Sequence, residues 1–413
     1  MRLLFALLLC AGLAGAYPLD GYGHTRIRRL LGYRLAQEGK VSGAPKIPPG
    51  GMWGEARIRL RLLGHRDLDV PPGTPRDPRL QAGLERILGG RNQSYGMVLL
   101  DITDPDHPRY AAVREDVSLL PGSVGKLLIG TGMMDALARA YPEPAARDRF
   151  LRETVRAADG FVIHDGKTVP YYNPGDKKVV RRQISVGDKF NLWEWFDHML
   201  SRSSNAAGSF TWKEAVLLRH FGRQYPPTPE QEKEFLGETP KKELTALALE
   251  TLDEPLRAAG VDPAKLRLGT MFTRGGRRVF PGARSYGTPR ELMRWLLRLE
   301  QGRLVDEWAS LELKKLLYFS RRRYRYASAP SLAKAGVFFK SGSFYQCVKE
   351  PGFTCKAYAG NKTNIMNSVA VVESGSKVYL VTLMSNILRT NSAVEHQRIA
   401  GEVEKLIQAG ADR

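Results

Sequence analysis

Cysteine is scarce in this chain: Cys10, Cys347 and Cys355 are all there is. Neither Cys347 nor Cys355 has a histidine close by in sequence, so nothing points to a thiol nucleophile. The seven histidines show no H-x-H or H-E-x-x-H spacing, and no Gly-rich phosphate loop follows a strand-like stretch. No metal or cofactor is therefore expected. Beyond the N-terminus no uninterrupted apolar run reaches about 18 residues, the length a spanning helix needs. Internal repeats and low-complexity tracts are missing too. Acidic residues are outnumbered, 43 against 63 Lys and Arg, leaving a formal net charge of +20.

What is present bounds the class. A chain of 413 residues can bury a sizeable core, and its 26% charged residues suit a folded protein. The positive balance favours anionic partners: nucleic acid, acidic lipid or an anionic cell-wall polymer. The basic residues are scattered except at Arg321-Arg322-Arg323-Tyr324-Arg325, which reads as a solvated surface rather than a nucleic-acid site. Residues 1–16 read as an export signal: Arg2, an apolar Leu3–Leu9, then Ala14-Gly15-Ala16 before Tyr17. Cys10 lacks the small preceding residue of a lipoprotein signal. The mature chain is thus expected in the periplasm or secreted, with Cys347 and Cys355 left as either a disulfide or two unpaired thiols.

Residues 17–79 read as a basic segment, either a small module or an arm on the main domain, which spans 80–413. Thr25 to Gln37 is helix-like, Gly43 to Gly51 and Asp69 to Pro78 are breaks, and Arg57 to Leu62 alternates like a strand. Leu80 to Leu88 reads as a helix, then Tyr95 to Ile102 and Tyr110 to Arg114 as a hairpin. A helix begins near Ser123. Residues 145 to 300 are mostly helix and loop, with Thr288 as N-cap and Pro289 at N1 of a helix running to about Leu299. Three strands follow, Val337 to Lys340, Asn367 to Glu373 and Lys377 to Met384, before a closing helix over Ala393 to Ile407. Strands from both ends must share one sheet around a helical insert, which is an α+β fold with an antiparallel sheet.

Three short motifs stand in order within this frame: Ser123-Val124-Gly125-Lys126, Ser203-Ser204-Asn205 and Lys340-Ser341-Gly342. Each alone is weak, since S-x-x-K also occurs at Ser331 and Ser374. Order decides among the serines. Ser331 lies nine residues before Lys340 with no S-x-N between, and Ser374 follows K-S-G.

Residues three apart on a helix share a face, so Ser123 and Lys126 can hydrogen-bond. A serine hydroxyl needs a base, and a lysine serves only when burial or a nearby cation depresses its pKa from about 10.4. Lys340 is the candidate cation. Ser203 can relay a proton to a leaving amine, and Asn205 can orient Lys126 and a substrate carbonyl. Lys340 and Ser341 can hold a substrate carboxylate beside Gly342. The backbone N–H groups of Ser123 and Ser343 would form the oxyanion hole.

These motifs resemble the penicillin-binding protein and serine β-lactamase superfamily, nearest its class A branch, over about residues 80 to 410. The resemblance implies an all-helical subdomain beside a five-stranded antiparallel sheet flanked by helices. The stretch departs from the class A pattern twice. Ser204 stands where class A commonly has Asp. The loop Glu and Asn that activate water for deacylation have no counterpart: residues 269–284 (GTMFTRGGRRVFPGAR) hold no carboxylate. Glu238, Glu243, Glu250, Asp253 and Glu254 are candidate substitutes for that base, their plainer reading being helix-surface carboxylates, and His164, Asp165 and His198 read as structural or surface residues. The resemblance implies a D,D-peptidase forming an acyl-enzyme with peptidoglycan-type peptide or β-lactam. The alternatives are a weak β-lactamase, a non-catalytic wall-binding protein, or an esterase or amidase on a small substrate.

Overall fold

The computed structural model describes residues 20–318 and 324–410, with all side chains but those of 91 and 92. The expected export signal, and Arg321 to Arg323 of the basic run, lie outside the described residues.

Five strands form one antiparallel sheet: β1 (Tyr95–Asp101), β2 (Arg109–Val113), β3 (Gly336–Gln346), β4 (Thr363–Ser374) and β5 (Lys377–Asn386). Their order is β2-β1-β5-β4-β3, so both hairpins meet through the β1–β5 pair, with Val98 opposite Thr382. All seven residues of β1 are buried because helices cover both faces. Met97 and Leu99 join Leu84, Ile399, Val403 and Ile407 from the helices Pro78–Leu88 and Ser392–Ala409. Val98 and Leu100 join the second core, shared with the helices Pro289–Glu300 and Glu307–Tyr318. Thr288 caps the first of these through the Glu291 N–H (3.2 Å), with Pro289 at the first helical position. Every expected strand of this sheet is present, and the fold is mixed helix and antiparallel sheet.

The insert between β2 and β3 makes the helical body. Its hub is the helix Lys126–Ala140, apolar nearly all round and buried except at Asp135, Ala138 and Arg139. The helices Leu192–Leu200, Asn205–Phe221 and Lys241–Ala258 surround it. Among the described residues, no helix is long and apolar enough to cross a membrane.

Residues 20–79 run as an arm over both bodies. The single helix expected over Thr25 to Gln37 is two, Tyr22–Thr25 and Arg28–Gln37, broken where Arg26 turns left-handed (φ 58°). Arg28 donates to Glu194 (2.8 Å), and the fully buried Arg29 forks onto Asp197, both on the Leu192–Leu200 helix. Further on, the Gly50 N–H donates to the Ala333 carbonyl (2.9 Å) and the Trp53 N–H to Tyr318 Oη (2.8 Å).

The strand expected over Arg57 to Leu62 is absent. The segment follows a 3₁₀ turn (Glu55–Arg57) and pairs with no strand among the described residues. Its alternation is nonetheless a burial pattern: Ile58, Leu60 and Leu62 are buried and Arg59 is exposed. Those side chains pack under helix ends, where the Leu62 N–H donates to the Glu300 carbonyl (3.0 Å). Period two reports one wet face, not a hydrogen-bonding partner. Cys347 and Cys355 form a disulfide (Cα–Cα 6.2 Å) that closes the loop after β3.

Candidate active site

The three motifs meet where the helical body faces the outer strand β3. Ser123 sits in a 3₁₀ turn (Gly122–Gly125) leading directly into the hub helix that begins at Lys126. A 3₁₀ turn eclipses residues three apart, which brings Lys126 Nζ to 3.0 Å from Ser123 Oγ. The turn is fixed from the sheet side: Asn367 of β4 donates to the carbonyls of Leu120 (2.8 Å) and Pro121 (2.9 Å).

Gly342 lets β3 approach this turn. A Cβ there would lie 2.3 Å from the Pro121 carbonyl oxygen and 2.9 Å from the Ser123 nitrogen. A Cβ built on Gly122 would in turn lie 3.3 Å from the Ser343 nitrogen. The backbone N–H groups of Ser123 and Ser343 therefore stand together at the turn.

Ser203 links the helices Leu192–Leu200 and Asn205–Phe221. Its φ of 59° is unusual for a non-glycine residue and aims its hydroxyl at β3. Lys340 Nζ donates to Ser203 Oγ (2.9 Å) and to the Ser341 carbonyl (2.9 Å). Lys126 Nζ also donates to Asn205 Oδ1 (2.9 Å) and the Ser203 carbonyl (3.3 Å). Ser123, Lys126, Ser203, Asn205 and Lys340 thus form one connected network, with Ser341 and Ser343 on the same strand.

The middle residue of S-x-N has its own task. Ser204 is the N-cap of the Asn205–Phe221 helix, its Oγ accepting the Ala207 N–H (3.1 Å). Asp165 supplies a carboxylate at this helix end: its Oδ2 accepts from the Ser204 hydroxyl (3.0 Å) and from the N–H groups of Asn205 (2.7 Å) and Ala206 (2.8 Å). The carboxylate at this helix end thus comes from a distant loop rather than from the motif itself. Asp165 is structural, as expected. His164 is exposed, and His198 is buried in the helical body.

Several residues at the site carry no local sequence signal. Lys167 Nζ donates to the Ser203 carbonyl (2.8 Å) and Asn205 Oδ1 (3.4 Å). Arg325 donates to the hydroxyls of Ser341 (2.7 Å) and Ser343 (3.0 Å). The basic run read as solvated surface therefore ends in the cleft, because Arg325 precedes the strand that carries K-S-G. The cleft has a volume of about 530 Å³, and Arg181 and Arg202 also line it.

Electrostatics follow from this crowding. Burial, then the charges of Lys167 and Lys340, hold Lys126 well below the ordinary lysine range, against Asp165. Burial, then Lys167 and Arg325, lower Lys340 likewise. Burial brings Lys167 down to about 8, with Asp165 opposing and Arg325 and Arg202 assisting.

The loop 269–284 reaches the site with an aromatic ring. Lys126 Nζ lies 3.8 Å from the Phe272 ring centroid. Ser209 pins this loop by accepting the N–H groups of Phe272 and Thr273 (both 3.0 Å). The absence of Cβ at Gly208 leaves room for both, since one there would lie 2.7 Å from Lys126 Cε and 3.0 Å from the Phe272 ring. The other carboxylates weighed as bases are elsewhere. Asp253 pairs with Arg267, Glu254 with Arg139 and Arg219, and Glu250 with Arg257, while Glu238 and Glu243 are exposed.

No family model matches the sequence, and no curated protein matches it. Solved structures do. A β-lactamase from Sphaerobacter thermophilus shares 13% identity over 81% of this chain and 97% of its own, with a TM-score of 0.51. A representative class A β-lactamase from Bacteroides cellulosilyticus shares 12% over 81% and 98%, also at 0.51. An acyl-enzyme complex of a PBP-A mutant with penicillin G shares 11% over 82% and 100%, at 0.50. The chain has the fold of the penicillin-binding proteins and serine β-lactamases, at a level of sequence identity where the fold alone is common to them.

Proposed function

We propose that this chain is an exported serine acyl-transfer enzyme that forms an acyl-enzyme on Ser123, with a D,D-peptidase as its activity. The observation that carries this reading is the hydrogen-bonded chain Ser123–Lys126–Asn205 and Ser203–Lys340, assembled from positions over two hundred residues apart. A substrate carboxylate docks on Lys340, Ser341 and Arg325. Lys126, neutral, takes the proton of the Ser123 hydroxyl as Oγ attacks the carbonyl carbon. The N–H groups of Ser123 and Ser343 receive the developing oxyanion. Ser203, polarised by Lys340, hands its proton to the leaving nitrogen and regains one from Lys126, which carries the proton taken from Ser123; the C–N bond breaks, and the acyl group remains on Oγ. Water or an amine then releases it.

The release step separates peptidase from β-lactamase. Phe272, not a carboxylate, occupies the loop position against Lys126. No general base is offered there to water, so β-lactam acyl-enzymes persist. Intact-mass spectrometry after exposure to benzylpenicillin tests the proposal. One adduct is expected on the Ser123 peptide, absent in Ser123→Ala and stable over minutes or longer. An unlabelled protein defeats the acyl-transfer reading. Labelling followed by clearance within seconds favours a β-lactamase.

A further inference from the structure

The cleft contains more positive charge than one substrate carboxylate can use. Lys167, Arg181, Arg202 and Arg325 line it, and among the described residues no acidic one does. Elsewhere arginines are matched to acids: Arg28 to Glu194, Arg156 to Glu214 and Glu232, Arg182 to Asp188, Arg290 to Asp116. The partners shown for the cleft cations are neutral. Arg181 donates to Thr168 Oγ1 (3.0 Å), Lys167 to an amide oxygen and a carbonyl, and Arg325 to two hydroxyls.

Arg202 and Arg325 each bury an Nε that has no hydrogen-bond partner. Arg61, Arg267 and Arg398 also bury an unbonded Nε, but each has a carboxylate on another nitrogen: Glu373, Asp253 and Glu402. Arg202 and Arg325 have none among the described residues. Asp165, bonded to cleft residue Lys167 and to the Asn205 helix end, is occupied: Oδ2 serves that helix end and Oδ1 accepts the Lys167 N–H (3.1 Å). Half-buried cations without counter-charges are unfavourable, and burial with Arg181 beside it makes Arg202 easier to deprotonate than an ordinary arginine.

We propose that Arg181 and Arg202, with Lys167, form a second anion subsite, and that the acyl donor carries a second carboxylate besides the one held at Lys340 and Ser341. Guanidinium forks match carboxylates in a bidentate manner, and in a cleft poor in counter-ions such a contact also speeds encounter. The identity of the donor rests on the acyl-transfer reading of Ser123; the anion subsite does not.

Three penicillins of one nucleus and similar bulk test the proposal: benzylpenicillin, its α-amino derivative and its α-carboxy derivative. Second-order rate constants for Ser123 acylation are read by intact mass. The α-carboxy compound is expected to react about 10-fold faster than the α-amino compound at low salt. That ratio should fall towards 1 in Arg181→Met/Arg202→Met. Arg181 is exposed, so Arg181→Met alone serves if the double variant misfolds. Equal rates in the unaltered protein, or a ratio that survives the substitutions, overturn the proposal. A second measurement is independent of acylation: calorimetric binding of succinate and propionate to Ser123→Ala. Succinate is expected to bind about 10-fold tighter, with the difference lost on Arg181→Met. If no penicillin labels the protein but succinate is preferred, the acyl-transfer reading falls and the subsite stands. If succinate gains nothing, the subsite falls.

Discussion

At the scale of single residues, the site is governed by which lysine holds its proton. In the proposed mechanism Lys126 is neutral to accept a proton from Ser123, whereas Lys167, brought down only to about 8, keeps its charge at neutral pH. The charge of Lys167 disfavours protonated Lys126 and so lowers its pKa. Lys167→Met should therefore move the rising limb of the acylation rate against pH to higher pH, read from single-turnover labelling across pH 5 to 10. The same variant has a stability signature. Between about 8, its folded value, and about 10.4, its unfolded value, Lys167 binds fewer protons folded than unfolded. Stability gained from this group rises with pH across that window and is smaller below it. Urea unfolding of Lys167→Met should show a weaker rise from pH 8 to 10 than the unaltered protein. An identical rise in both would mean that Lys167 keeps an ordinary pKa. Lys167 could not be foreseen, because a lysine 36 residues before Ser203 gains its role only by folding.

At the scale of elements, two contacts set the geometry. The first is the approach of β3 to the Ser123 turn through Gly342. Gly342→Ala would place a carbon 2.3 Å from the Pro121 oxygen, so strand and turn must part. We expect acylation to fall by about 10²–10³, the usual effect of losing an oxyanion donor, with stability lower by about 1–3 kcal/mol. Labelling rates and denaturant midpoints check the two parts. The second is the clasp of the arm on the helix before Ser203. Asp197 is fully buried, and Arg29 overcomes the burial that would otherwise raise its pKa. Arg29→Met strands that carboxylate and should destabilise the fold by about 3–5 kcal/mol in urea unfolding. Asp197 also accepts from Ser201 (2.5 Å), two residues before Ser203, so labelling should slow as well.

The elements themselves were largely legible. The β1 run, Tyr95 to Asp101, is apolar enough to require cover on both faces, and it has it. The Thr288-Pro289 start carries its own cap. The segment Arg57 to Leu62 was misread because alternation measures exposure, and a chain lying along helix ends alternates as a strand does. The early helix split at Arg26, a left-handed residue no local pattern announces.

At the scale of the whole molecule, charge is distributed unevenly. A net charge of +20 says only that anions are favoured. Folding pairs many arginines with acids and leaves a group of cations without acidic salt-bridge partners, among the described residues, around one cleft of about 530 Å³. Removing the arm, residues 20–79, would expose Glu194 and Asp197 without their arginines. A chain lacking it should fail to give a cooperative unfolding transition, which differential scanning calorimetry would show. A sharp, near-normal transition would mean that the arm is dispensable.

The sequence alone determined the antiparallel sheet around a helical insert, the pairing candidates Cys347 and Cys355, and the three motifs whose side chains meet in the cleft. Periodicity and motif order are carried by neighbours along the chain. Tertiary structure decided what Lys167, Arg181, Arg202, Arg325, Asp165 and Phe272 do. Their roles depend on distances through space, and on how far burial weakens water's hold on each charge, neither of which linear spacing encodes.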